Sequence, residues 1–600
     1  MKAFYSSIRT AFDVQVMNQF SRDNSWLKKI FSDMNSLDEI DYKRIMDGEI
    51  RIFSNTVKTT RGNFPDWHID CISNYRFPLS LSDRIEITGD VTGDCLFPCE
   101  LSRLQFFPPL MSYINFGDSV KSIEDYIVSV TDNWVRENPF GYGIHWRIHM
   151  ESALRALSLF SILPFLSPSG QQSLQHLYIL CINFVGWERI RKAPKKKHNH
   201  YIIELICFLI CSMILKGPGI EKTRNIALSA MLEQIDHQFG NDGISIECSI
   251  SYHRLTIEAL LLLDLALVSF NNSNHHIREI RVRLAELLPK AIGFISDYIK
   301  CFGKSVQFGD SCDGRIMFFG DYYNWDPLDH RYILTLSKIV GITIPESNSA
   351  DWISVYYNAG YAFCSCGRIG VCACNSEPSS GVSGHNHMDK LSWVMSVEGE
   401  SVFVDPGTGM YNSTLSLRNY FRATASHNTI LIDGEEQAIF DQLRSFSEVK
   451  EIDCSIEVHD PGEGSFSILM KHTGYTRIND LGAIKRTIII EPEYVHVIDS
   501  FEGSSSHEVS FGYLLHPNLK VTQTQDGHVI IHGKDFSLLL ENPTGMCLSI
   551  SKRWYSDSYG SMVKTNRITY SGTIEFPATI EHTHKLSMQK IRVNKDNILE

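Results

Sequence analysis

The chain has no apolar run long enough to cross a bilayer, which takes about twenty residues. Its two most apolar stretches, Tyr201 to Leu215 and Leu255 to Phe270, are too short and carry Glu204, Glu258 and Asp264. Both read as buried helices. The stretch up to Met34 scatters Lys2, Arg9, Asp13 and Arg22 among apolar residues, with no basic start, apolar centre or small-residue cleavage pattern. A cytoplasmic location is therefore expected, with a periplasmic or exported one as the alternative. Basic charge is scarce: 69 Asp and Glu outnumber 56 Lys and Arg, for a formal net charge of -13. That balance excludes a general nucleic-acid binder, and a polyanionic partner would need a local basic patch. A disulfide framework is lacking too, because the 15 cysteines are odd in number and scattered, as in a reduced protein. Internal repeats and low-complexity segments are absent.

What is present is length and a change of pattern. A chain of 600 residues with 43% hydrophobic composition can fill two or three packed domains. Residues 1–95 form a lead-in region, with a short strand-like run at Arg84-Ile85-Glu86-Ile87 and turns at Gly89 and Gly93-Asp94. From 96 to 345 apolar residues recur three and four apart in Ile123–Val135, His149–Leu163, Leu174–Val185, Ile202–Leu215, Thr223–Phe239, Leu255–Leu267 and Ile277–Ile299. Seven or more consecutive helices suggest hairpins packed around a common centre. Between 345 and 355 the period changes, and from 350 to 600 short alternating runs follow, among them Ser401–Val404, Thr429–Ile432, Thr487–Ile490, Tyr494–Ile498 and Glu508–Leu515. Helices followed by strands define an α+β multidomain protein. Cys364-Ser365-Cys366 and Cys372-Ala373-Cys374 offer four thiolates, but their tight spacing within strand-like runs favours a hairpin with small apolar cysteines on a pleated face over a zinc site.

Chemistry-bearing residues concentrate between Gly384 and Thr429. His385 and His387, one residue apart on extended chain, point to the same side, and Asp405 and His427 follow. Such residues suit Zn²⁺, with one imidazole left over as a proton carrier, although a lone His-x-His is also common on surface turns. In the helical half, Glu151 and Arg155 stand one turn apart, as an i,i+4 ion pair would. Six cations between Arg189 and Lys197 precede Asn199-His200. A Glu247 to Arg254 segment holds Tyr252-His253, and Gly309-Asp310 and Asp313-Gly314 mark a loop whose acids could cap a turn.

The order Gly384-His385-Asn386-His387-Met388-Asp389, Val404-Asp405-Pro406-Gly407-Thr408, Tyr411, Arg418, Tyr420-Phe421-Arg422 and Ser426-His427-Asn428-Thr429 resembles the C-terminal domain of the heparinase II/III-like polysaccharide lyases and the related alginate lyases. The resemblance implies an N-terminal incomplete (α/α) toroid followed by a C-terminal antiparallel β-sandwich domain. It implies a lyase cleaving a uronate-containing polysaccharide or oligosaccharide by β-elimination, with Tyr252 and His385 as the acid-base pair and Asn199 and His200 neutralising the carboxylate. Which of Tyr252 and His385 is the base stays open, and Tyr252 needs nearby positive charge to lower its pKa if it is to serve. Trp146, Arg254 and Glu247 are expected on the substrate, and His387, Asp405 and His427 are expected to hold a site-supporting Zn²⁺. A uronyl epimerase on the same fold and a non-catalytic glycan-binding protein are the rival readings.

Overall fold

Helix positions follow burial. The computed structural model describes the chain apart from residues 1–14, 17–24, 35–38, 59–63, 88–92, 114–119, 195–196, 270–273, 319–321, 345–349, 378–383, 413, 447–451, 463, 588–597 and 600. Its α-helices ahead of residue 345 are α1 (Ser25–Met34), α2 (Glu39–Met46), α3 (Leu96–Ser102), α4 (Phe107–Tyr113), α5 (Val120–Glu137), α6 (His149–Ile162), α7 (Pro168–Val185), α8 (Asn199–Ser212), α9 (Pro218–Gln238), α10 (Ile250–Val268), α11 (His275–Phe302) and α12 (Arg331–Val340), and one more, Leu415–Arg422, lies among the strands. All seven helices expected from periodicity are present. Helices α6, α8 and α10 are apolar nearly all round and buried along almost their whole length. They pack in a row, α6 on α8 and α8 on α10, while the half-exposed α7, α9 and α11 lie outside them. A helix apolar on every side has to be surrounded, and this alternation of inner and outer helices makes the toroid.

The lead-in region is part of that body. Trp26, Leu27, Ile30 and Phe31 of α1 join the same apolar cluster as the inner helices. The strand expected at Arg84–Ile87 does not form among the described residues; a 3₁₀ turn occupies Ser82–Arg84, and Ile85 is buried against Phe77, Cys99 and Ile144 instead. The turn at Gly89 lies outside the described residues.

The strands of the C-terminal half are β1 (Trp352–Tyr356), β2 (Tyr361–Cys366), β3 (Ile369–Cys374), β4 (Ser392–Val397), β5 (Glu400–Phe403), β6 (Ile430–Ile432), β7 (Cys454–His459), β8 (Phe466–His472), β9 (Leu481–Glu491), β10 (Tyr494–Gly503), β11 (Ser506–Leu514), β12 (Lys520–Gln523), β13 (Val529–His532), β14 (Ser537–Leu540), β15 (Cys547–Ser558), β16 (Ser561–Glu575), β17 (Ala578–Ser587) and β18 (Ile598–Leu599). They form antiparallel sheets of five strands (β1 to β5 in order), four strands (β6-β11-β16-β15) and nine strands (β7-β8-β9-β10-β17-β14-β13-β12-β18).

The five-stranded sheet is buried on both faces, and its alternation says against what. Tyr361, Phe363, Cys372, Cys374 and Val394 belong to the helical core. Their neighbours Ala362, Cys364, Val371, Ala373, Trp393 and Met395 belong to the core shared with the nine-stranded sheet. A period of two thus places this sheet as the middle layer between toroid and outer sheet. The cysteine pairs form the β2-β3 hairpin, with Phe363 opposite Cys372 and Cys366 opposite Ile369, and their thiols are free.

Candidate active site

A cavity of about 500 Å³ opens where the toroid meets the sheets. Its helical wall is built from chain starts: His149, Met150, Glu151 and Leu154 of α6, Asn199, His200 and Glu204 of α8, and Tyr252 and Leu255 of α10. Three helix N-termini therefore converge on one space, where their dipoles favour an anion, although Asn199 N and Tyr252 N already donate to Glu247 Oε1 and Ser249 Oγ. The sheet-side wall brings Gly384, His385, Tyr411, Asn412 and Tyr559.

The acid-base candidates meet inside. The Tyr252 and His385 rings stack with centroids 3.8 Å apart, 22° from parallel. The Tyr252 and Tyr411 hydroxyls are hydrogen-bonded at 2.9 Å. Asn199 Nδ2 lies 3.3 Å from His385 Nε2, and the Asn199 Oδ1 is buried without a partner. Local structure holds each side chain in place. Ser249 caps α10 by accepting from Tyr252 N at 3.1 Å while its hydroxyl donates to Asp310 O at 2.6 Å. Asp310 N in turn donates to His385 O at 2.9 Å. Gly309, at φ +70°, makes this three-way junction possible, because a side chain there would collide with Cys248 O and His385 O.

Asp310 is the hub that residue patterns left as a turn cap. Its Oδ2 accepts from His385 Nδ1 and its Oδ1 from His387 Nε2, each at 2.9 Å. Arg418, fully buried, grips both oxygens of the same carboxylate. These contacts hold the Asp310 carboxyl well below the usual carboxylate range despite its burial, the Arg418 charge being the largest favourable cause. They also set tautomers: with Nδ1–H donated to Asp310, His385 turns the lone pair of Nε2 toward Asn199 and the cavity.

His387, Asp405 and His427 offer ligand atoms all within 4.8 Å of one another, and all three residues are buried. His427 Nδ1 lies 2.7 Å from Asp405 Oδ2. His387 Nδ1 and His427 Nε2 are buried nitrogens with no hydrogen-bond partner, which is what a metal ion would satisfy. Two imidazoles and a carboxylate, with Asp310 behind His387, can hold Zn²⁺.

Three sequence expectations need correction, and one condition set for Tyr252 as a base is not met. Trp146 is not on the cavity wall: it is buried among Trp134, Phe140 and Phe184, with Nε1 donating to Asn138 O at 3.3 Å. Arg254 also faces away, since two residues beyond Tyr252 is some half turn of helix. It donates to Gly314 O at 2.8 Å and Cys312 O at 2.5 Å and approaches Glu258 at 3.2 Å. Glu151 pairs with Arg103 at 2.6 Å, not with Arg155, which donates to Ser102 O and lies over the Trp134 ring. The Tyr252 phenol is pushed well up by burial, not lowered.

Glu247 does reach the wall, where its carboxylate accepts from Asn199 N at 2.8 Å. His200 reaches it as a neutral ring, because burial pushes its pKa well down. Of the six cations before α8, Lys195 and Lys196 lie outside the described residues; among the four described, Arg189 alone lines the cavity, while Lys192 pairs with Glu188, Lys197 with Glu233, and Arg191 bonds Thr223.

Fold and site together define a protein whose helical toroid is closed by stacked antiparallel sheets, with a cavity at the seam. Residues 354–583 match the family described as Heparinase II/III-like, C-terminal, and this domain belongs to the heparinase II/III-like family. The structure is similar to a heparinase III at TM-score 0.64 and 14% identity, over 98% of this chain and 88% of that one. It is similar to a mutant of the heparan sulfate lyase HepC from Pedobacter heparinus at TM-score 0.57 and 15% identity, over 98% and 95% of the two chains. No curated protein sequence matches the chain. At these identities the likeness is one of fold. Among the described residues, no helix is long and apolar enough to cross a membrane.

Proposed function

We propose that the protein is a polysaccharide lyase that cleaves a uronate-containing glycan by β-elimination. One observation carries the reading: the stacked Tyr252 and His385 rings share a cavity with Asn199 and with the N-termini of three helices. One of the structures of similar fold is named a heparan sulfate lyase.

The uronate carboxylate sits at the helix N-termini and accepts hydrogen bonds from Asn199 Nδ2 and from the neutral His200 ring. As the hydrogen beside the carboxylate leaves, charge builds on the carboxylate oxygens, and each preorganised donor lowers the barrier by roughly 3 kcal/mol. His385 takes that proton on Nε2, the nitrogen that its bond to Asp310 leaves without one. Tyr252, kept protonated by burial, gives its hydroxyl proton to the departing glycosidic oxygen as the carbon-oxygen bond breaks and the carbon-carbon double bond forms. Zn²⁺ held by His387, Asp405 and His427 would brace the sheet-side wall, with Asp310 linking that set to His385.

Incubation with a panel of uronate polysaccharides is expected to release an ultraviolet-absorbing unsaturated uronate, in a sample whose metal content is measured in parallel. Tyr252→Phe and His385→Ala are expected to reduce the signal to background with circular dichroism unchanged. Full activity in both variants would remove the mechanism.

A further inference from the structure

A second cavity, of about 550 Å³, opens between the end of α11, the start of α12 and the turn joining β4 to β5. It shares no lining residue with the acid-base cavity and falls in the size range of small-molecule sites. Arg315 lines it and is only 5% exposed. The Arg315 guanidinium lies over rings, its central carbon 3.8 Å from the Tyr332 centroid, 4.6 Å from that of Trp325 and 5.5 Å from that of Phe318. Among the described residues it has no carboxylate within ion-pair distance, and its Nε is buried without a hydrogen-bond partner.

That isolation sets Arg315 apart. Other deeply buried arginines are paired, Arg254 with Glu258, Arg418 with Asp310 and Arg486 with Asp499. A buried cation left without a counter-charge costs stability, and ring faces offset the cost only in part. Burial accordingly pulls the Arg315 pKa below its ordinary value. An anion seated against the guanidinium would supply the missing counter-charge through strong, charge-assisted hydrogen bonds.

The rest of the wall limits what that anion is. Arg331 holds Asp329 through two bonds and keeps its carboxyl below the usual range, and Lys304 faces Asp326 at 3.6 Å. With those two pairs matched, the charge of Arg315 is the one left over among the lining residues. A second negative charge on the ligand would face Asp326 and Asp329. Hydroxyl groups, by contrast, find acceptors in both carboxylates and in the carbonyls at the end of α11.

We propose that this cavity is a second ligand site, separate from the acid-base cavity, which takes a hydroxylated monocarboxylate of the uronic acid type, with the carboxylate on Arg315 and the hydroxyls on Asp326 and Asp329. The site stands whether or not the lyase reading does. Its ligand is either a free sugar acid or the acidic end of a glycan.

Isothermal titration of the full chain tests this with sodium glucuronate, a disaccharide ending in glucuronate, glucose and inorganic phosphate. Titrations are run in the wild type and in Asn199→Ala, which removes a carboxylate donor from the first cavity. Glucuronate or the disaccharide is expected to bind about tenfold or more tightly than glucose and phosphate in both proteins, and the tighter of the two tells a free acid from a chain end. Arg315→Met is expected to weaken that binding about tenfold or more while leaving the thermal midpoint unchanged or higher, because it removes an unpaired buried charge. Lys304→Glu reverses a charge at the half-exposed rim without touching the core, so it decides the matter should Arg315→Met fail to fold; it is expected to weaken binding about threefold or more. Absence of binding by both acids, binding kept in Arg315→Met, binding unchanged in Lys304→Glu, binding lost in Asn199→Ala, or phosphate bound as tightly as the acids would each overturn the proposal.

Discussion

At the scale of single residues, the site turns on a carboxylate that touches no substrate. Asp310 receives one nitrogen from each of His385 and His387 and both arms of Arg418, so one side chain orients the proton-transfer candidate and a metal-ligand candidate together. Asn at 310 keeps the size but replaces one accepting oxygen by a donor that must face either Arg418 or an imidazole. Asp310→Asn is therefore expected to cut kcat by about 10- to 100-fold and to lower metal content, with KM changed much less. Unchanged kcat and metal content would show that the hub is only packing. Residue patterns made the site's members legible where chemistry and order coincide: Tyr252, His385, Asn199 and His200 all reach one cavity. They misled at Trp146 and Arg254, because an aromatic or a cation near a motif carries no sign of the direction in which its helix turns it. Asp310 went unrecognised for a related reason. An Asp after Gly fits a turn cap equally well, and its three partners lie 75 to 108 residues away.

At the scale of elements, apolar periodicity located every expected helix, since burial acts through local repeat and needs no knowledge of partners. Pairing order in the sheets was not legible: β6 lies beside β11, and β10 beside β17, through contacts no local pattern encodes. The sheets also bury polar rings. His584 on β17 is fully buried among Trp393, Phe403 and Tyr513, with neither ring nitrogen hydrogen-bonded. Burial pushes its pKa down to about 3. A folded-state pKa below the unfolded one contributes stability that is present above pH 6.5 and lost as the pH falls toward 3. Buried acids act in the opposite sense: Asp94 and Asp313, raised to about 6, and Glu100 and Glu204, raised to about 7, favour the folded state at low pH and lose that contribution as the pH rises through those values. The two effects are separated by comparing variants. His584→Leu is expected to flatten the fall in stability below pH 6.5 by about 1 kcal/mol per pH unit relative to wild type, read from denaturant midpoints at pH 7, 6 and 5. Parallel curves would mean that His584 gains a partner on protonation.

At the scale of the whole molecule, the two halves share both a core and a site. The middle sheet gives Tyr361, Phe363, Cys372, Cys374 and Val394 to the helical cluster, so the toroid's packing is incomplete without strands. The seam is also polar: Tyr559 donates to Asp94, Ser558 donates to Asp313 at 2.7 Å, and Ser311 N donates to Thr408 Oγ1 at 2.6 Å. Asp94 and Asp313 are fully buried in this arrangement, and burial raises both carboxyls to about 6 in spite of their partners. Removing the sheet half would expose the apolar face and strip those acids of hydroxyl donors at once, which costs far more than a surface cut. Tyr252 and His385 would also part, one staying with the helices and the other leaving with the strands. Residues 1–344 and 350–600 expressed as separate chains are therefore expected to be inactive on any polymer the intact protein cleaves, with the helical chain binding a hydrophobic dye. Mixing them restores activity only to the extent that they re-dock, so the signal should rise with the concentration of either fragment. Elimination by one fragment alone would mean that acid and base reside in the same half, and that the stacked rings at the seam are not the reacting pair.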